Sequence, residues 1–181
     1  MMTVIKKLTR SVKSFCQSDD GNSTIDFMMV LPAAMFFFTA AYESGTMGLR
    51  YVMLERAVDI TVRQVRIGAV EDASHDTLKE MICDRAMVIP NCMDSVKLEM
   101  TRKDPRNWTP VNTERDCVDR EDDSEPVITW TFGTNNDLMV LRACAIFDPV
   151  LPTSAVGAAA QDEDGIYALI ATTSFVVEPY Q

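Results

Sequence analysis

Phe15-Cys16-Gln17-Ser18-Asp19-Asp20-Gly21-Asn22-Ser23-Thr24-Ile25-Asp26-Phe27, running on through an apolar block to Tyr42, is the stretch that decides how this chain is built. No charged residue lies between Phe27 and Tyr42, and in the 18 residues from Ile25 the only charge is Asp26. A helix of that length spans roughly 27 Å at about 1.5 Å per residue, close to the hydrocarbon thickness of a bilayer. A secretory signal peptide has a shorter apolar core, about 7 to 15 residues, closed by a small-residue cleavage site. Here the chain continues Glu43-Ser44-Gly45-Thr46. A core helix at the surface of a soluble domain keeps a polar face, which the block containing Phe36, Phe37 and Phe38 lacks. The stretch therefore reads as a retained membrane helix.

Charge sets its direction. Lys6, Lys7, Arg10 and Lys13 precede the span, so the positive-inside rule places the N-terminus in the cytoplasm and everything after Tyr42 across the membrane. Residues 1 to 20 carry four basic and two acidic groups; with a total of −10, the remainder carries −12. Such an acidic outer part repels nucleic acid. Of five cysteines, Cys16 lies before the span, whereas Cys83, Cys92, Cys117 and Cys144 follow it. An even set in an oxidising compartment reads as two disulfides, for which three connectivities exist. Cys83 with Cys92 and Cys117 with Cys144 is favoured, because the first pair ties a helix to the segment past Pro90 and the second pins an acidic loop to a strand. Structural zinc is disfavoured, since no CxxC pair is present and the only histidine is His75. No metal and no cofactor are expected.

Beyond the span, Leu49, Met53, Ala57, Ile60 and Ile67 recur at helical spacing, with Asp59 and Arg63 four apart on another face. One long helix is expected to leave the bilayer and form the spine of an outer domain. A second is expected from about His75 to Ala86, N-capped by Ser74, with Leu78, Met81 and Ile82 inward and a stop before Pro90. Val96, Leu98 and Met100 alternate with Lys97, Glu99 and Thr101, the period of a half-buried strand. Ile128, Trp130 and Phe132 repeat that period, and Gly133-Thr134-Asn135-Asn136-Asp137 predicts a hairpin turn into Leu138 to Phe147. Ile166 to Val177 is a fourth strand candidate. Helices first and antiparallel strands after define an α+β fold.

Two connections read as solvated. Lys103 to Glu125 holds Pro105, Pro110 and the acidic run Glu121-Asp122-Asp123-Ser124-Glu125; Asp148 to Gly165 ends in Asp162-Glu163-Asp164-Gly165. The latter lacks the further ligands and the closing Glu of a calcium loop. No GxSxG, HExxH or glycine-rich phosphate loop is present, and a lone histidine beside a helix start reads as a solvated or capping residue. An enzyme is not expected.

Gly21 at the charged-to-apolar boundary, an acid at the fifth position after it and a continuous apolar helix resemble the prepilins of type IV pilus systems. More specifically, Asp20 to Pro32 with Glu43 closing the span, and the ending Glu178-Pro179-Tyr180, resemble the TadE-like minor pseudopilins of tight-adherence (Flp, type IVc) pili. The match is carried by about Phe15 to Gly48 and is architectural beyond. The resemblance implies cleavage between Gly21 and Asn22 by a prepilin peptidase, where a residue without a side chain fits a narrow extended site. It also implies pairing of Asp26 in the membrane with the new amine of a neighbouring subunit, favourable because an unpaired ion inside the bilayer costs on the order of 2.5 to 3.5 kcal/mol. The implied organisation is a cytoplasmic leader over residues 1–21, a transmembrane helix with its extension over 22–70, and a periplasmic α+β domain stapled by disulfides over 71–181. Implied partners are the peptidase, other pilin or pseudopilin subunits, the inner-membrane assembly platform and the lipid bilayer. Two departures stand out: Asp26 replaces the family's usual Glu, and Phe27 replaces the Tyr common in the much smaller major pilins. The rival reading of Asp26 is an interfacial N-cap, and the rival for the chain is an uncleaved single-pass scaffold of a secretion or pilus platform. Pro32 is expected to loosen the helix by removing one backbone bond.

Overall fold

The computed structural model describes residues 23–70, 72–111, 117–118, 129–161 and 165–179. The leader with Gly21 and Asn22, the acidic run 121–125 and Asp162 to Asp164 lie outside the described residues. The chain divides between Thr39 and Ala40 into two compact units.

Helix α1, Ser23–Arg66, is 44 residues long and passes through Pro32 without interruption. In the first unit its apolar residues are exposed on every side, from Ile25 and Phe27 through Met35 to Phe38. By length and composition α1 is able to cross a membrane, and none of its most apolar 18-residue stretch is buried within the protein. Ile25, Phe27, Met28 and Val30, all exposed, point in different directions around the helix, so no folded face of this unit hides them.

The second unit holds the rest of α1, then α2 (His75–Arg85), α3 (Cys92–Ser95), β1 (Val96–Lys103), β2 (Leu138–Phe147), α4 (Ala155–Ala160) and β3 (Tyr167–Val176). Ser74 starts α2, its hydroxyl accepting from the Thr77 N–H. The sheet is antiparallel in the order β1-β2-β3, with Leu98 opposite Ala143 and Ala143 opposite Ala171. With strands alternating faces, Val96, Leu98, Met100, Met139, Leu141, Ala143, Ala171 and Phe175 form one layer of the core. Leu54, Ala57, Val58, Val62 and Val65 of α1, with Leu78 and Ile82 of α2, form the other. The α+β class with an antiparallel sheet and two disulfide pairs is thus present.

Three expectations need correction. The inward stripe of α1 is Leu54, Ala57, Val58, Thr61, Val62 and Val65, and only Ala57 belonged to the expected set; Leu49, Ile60 and Ile67 are exposed. At about 100° per residue the two stripes lie roughly a third of a turn apart. Both have helical spacing, and tertiary packing selects between them: Leu54, Ala57, Val58, Val62 and Val65 join the strands in one core cluster. The hairpin between residues 128–132 and β2 is also absent: β2 is flanked by β1 and β3, and Trp130 instead forms a parallel bridge to Met100 of β1. Ile128 lies outside the described residues. A ladder strand has two edges, and both edges of β2 are taken by longer partners that offer eight and ten residue pairs. Finally, Lys97 is buried where a solvated strand face was expected. The second face of the sheet also holds the buried Arg142 and Cys144, and Cys144 is joined to Cys117 on that side. Glu99 lies 3.6 Å from Arg142 and 4.0 Å from Lys97, a carboxylate between two cations that reduces the cost of burying them.

Candidate functional site

The residues singled out by sequence lie on both units. In the first, Asp26 sits in the first turn of α1 and is exposed. A carboxylate there opposes the positive end of the helix dipole, a favourable placement whatever else it contacts. Around it Ile25, Phe27, Met28 and Met29 are all at least half exposed. Among the described residues of this unit, Asp26 is therefore the one acid on an apolar surface.

In the second unit the structure reveals a residue whose role the sequence did not disclose. Glu43, the first charge after the apolar run, is fully buried. Its Oε1 accepts the Val150 N–H at 3.0 Å and its Oε2 the Leu151 N–H at 2.8 Å. Two turns on, Arg50 donates to the Tyr167 hydroxyl at 2.9 Å and to the Asp148 carbonyl at 3.4 Å, with its guanidinium 5.2 Å from the centre of the Phe147 ring. Phe147 in turn packs on Tyr167, ring centres 5.1 Å apart. Both ends of the connection leaving β2 are thus clasped by charged side chains of α1. Farther along, Arg66 pairs with Glu178 at 2.8 Å beyond β3. A carboxylate at the end of an apolar run was the available signal; its burial and its partners, 107 and 108 residues away, were not readable.

Cys83 and Cys92 stand with Cα atoms 5.6 Å apart, and Cys117 and Cys144 5.4 Å apart, both bonded as disulfides. The first links α2 to the start of α3 around the left-handed Asn91. The second fastens Cys117 to the middle of β2. A buried bridge on a central strand restricts which chain segment lies against that face.

His75 departs from the solvated or capping part expected of it. Ser74 does the capping, while the imidazole is mostly enclosed, its ring meeting Trp130 edge to face at 5.3 Å. Nδ1 lies 2.9 Å from the Asp76 carboxylate, and Nε2 is enclosed without a hydrogen-bond partner. Trp130 also lines a groove of about 650 Å³ with Gly68, Val70, Asp72, Ser74 and Phe132. Among the described residues, no group of three or more His, Cys, Asp or Glu side chains is arranged to hold a metal ion.

No family model, no curated protein and no solved structure matches the chain.

Proposed function

We propose that the chain is a single-pass minor pseudopilin, similar to the TadE-like subunits of tight-adherence pili, which acts in pilus biogenesis and surface adhesion. The observation that carries this reading is an apolar helix exposed on all sides, opening on the lone acid Asp26. Water is a poor solvent for that sleeve: at roughly 25 cal/mol per Å² of apolar surface, leaving it hydrated is unfavourable by many kcal/mol, and a bilayer removes the cost. The basic residues before it set the N-terminus in the cytoplasm and the disulfide-bonded unit in the periplasm, with the inner membrane between. A prepilin peptidase then cuts after Gly21. Asp26 meets the freed amine of a neighbouring subunit where ions are otherwise expensive, so lateral packing of helices is the working principle. The outer unit supplies recognition.

Mass measurement of the membrane-purified chain, coexpressed with a cognate prepilin peptidase, tests this. Loss of residues 1 to 21 is expected, and Gly21→Leu should block it by filling the cleavage site. A chain in piliated cells that still begins at Met1 would leave the uncleaved scaffold as the correct reading.

A further inference from the structure

The groove beside α2 carries a chemistry that anchoring and processing do not use. Its volume of about 650 Å³ lies in the range of small-ligand sites, generally about 300 to 1,000 Å³. Trp130 is held in place by the main chain on either side: Met100 N–H donates to the Thr129 carbonyl and Thr131 N–H to the Met100 carbonyl, both at 3.0 Å. His75 braces its ring. Phe132 lines the same groove with 39% of its surface exposed and takes no part in the core cluster. A large aromatic side chain exposed beside a fixed tryptophan is a surface that a ligand can cover. Asp72 is exposed, and no cation among the described residues pairs with it.

Two aromatic rings and an exposed carboxylate favour a positive charge: the ring faces are the negative parts of their quadrupoles, and the carboxylate adds a counter-ion. The −12 excess beyond residue 20 attracts cations from a distance. An anion is disfavoured although α2 begins here, because Ser74 already occupies the Thr77 N–H and both Asp72 and Asp76 repel it. We propose that this groove receives the basic side chain of a partner polypeptide, a Lys or Arg, against Trp130 and Phe132 with Asp72 as its counter-ion. The inference stands independently of cleavage and insertion.

The full chain in detergent micelles provides the test. Trp108 is exposed and outside the groove, so Trp108→Phe leaves Trp130 as the only tryptophan of the two. Its fluorescence is followed while short peptides bearing a single Lys, Arg or norleucine in an uncharged background are added. A saturable change with Lys or Arg is expected and none with norleucine; Asp72→Asn should weaken it about threefold to tenfold, and added salt should weaken it too. The indole N–H resonances of the wild-type chain repeat the measurement if Trp108→Phe is poorly folded, and Phe132→Ala should reduce affinity in either readout. An equal response to norleucine, an unchanged affinity in Asp72→Asn or no saturable change would each overturn the proposal. Binding of tetramethylammonium without any response to the Lys and Arg peptides would overturn the polypeptide partner as well.

Discussion

At the scale of single residues, Glu43 and Asp26 are two acids on one helix with opposite surroundings. Glu43 is enclosed and spends both oxygens on main-chain N–H groups. Hydrogen bonds to a charged group contribute about 1.5 to 3 kcal/mol each, so Glu43→Ala should speed hydrogen exchange at the Val150 and Leu151 amides by about tenfold to a hundredfold or more. Glu43→Gln should fall between, because an amide offers one acceptor and turns a donor toward the second N–H. Equal protection in all three proteins would show that the clasp does not stabilise the connection. Asp26 is exposed and lies in the first turn of its helix. On the reading proposed above, Asp26→Ala should leave cleavage and both disulfides intact while abolishing crosslinks to neighbouring subunits, and Asp26→Glu should be tolerated. Normal crosslinking and piliation in the alanine strain would reduce the residue to a helix cap. Sequence could mark both acids as unusual, since each borders an apolar run. It could not separate them, because what distinguishes them is the contact of Glu43 with Val150 and Leu151.

At the scale of elements, the turns decide how helices and strands are joined. Ser154 caps α4 by accepting from the Gly157 N–H at 2.9 Å, and a methyl group on Gly157 would run into the Leu151 carbonyl and the Ser154 hydroxyl. Gly157→Ala should therefore destabilise the outer unit by about 1 to 3 kcal/mol, read as a shift in its denaturation midpoint. No such loss would mean that the connection adjusts freely. In the turn before β2, Asp137 accepts from the N–H and the hydroxyl of Thr134 at 2.7 and 3.0 Å. The backbone bond above all holds its carboxyl below the usual carboxylate range. A depressed acid contributes its stability fully above its unfolded value and loses it as pH falls through the folded one. Wild type should thus exceed Asp137→Asn in stability near neutrality, with the gap closing in strong acid; a gap independent of pH would contradict this. Element type was legible here from alternation and capping. The partner of each strand was not: residues 129–131 have a strand-like pattern yet bridge β1 in parallel, because pairing depends on which edges longer strands have left open.

At the scale of the whole molecule, a large exposed apolar helix coexists with a well-packed unit that carries two cross-links. The chain-entropy account gives a bridge over a short loop less weight than one over a long loop. With sequence separations of 9 and 27, Cys83–Cys92 and Cys117–Cys144 should contribute about 2.7 and 3.6 kcal/mol respectively on that account. Paired alanine replacements, compared by denaturation in micelles, should lower stability more for Cys117 and Cys144. The reverse order would show that native packing, and not the unfolded chain, governs the effect. Free-thiol labelling of the intact chain should find Cys83, Cys92, Cys117 and Cys144 all unreactive. What the sequence alone determined is what local chemistry decides: the long apolar helix, the Ser74 cap, the alternating strands and an even set of cysteines beyond the apolar run. Only the tertiary structure decided which stripe of α1 is buried, that Lys97 and Arg142 lie inside, that Glu43 clasps Val150 and Leu151, and that Trp130 walls a groove with Asp72. The physical reason is common to all four: periodicity and propensity act over a few residues, whereas each of these depends on contact between segments far apart in the chain, and several arrangements satisfy the same local pattern until packing selects one.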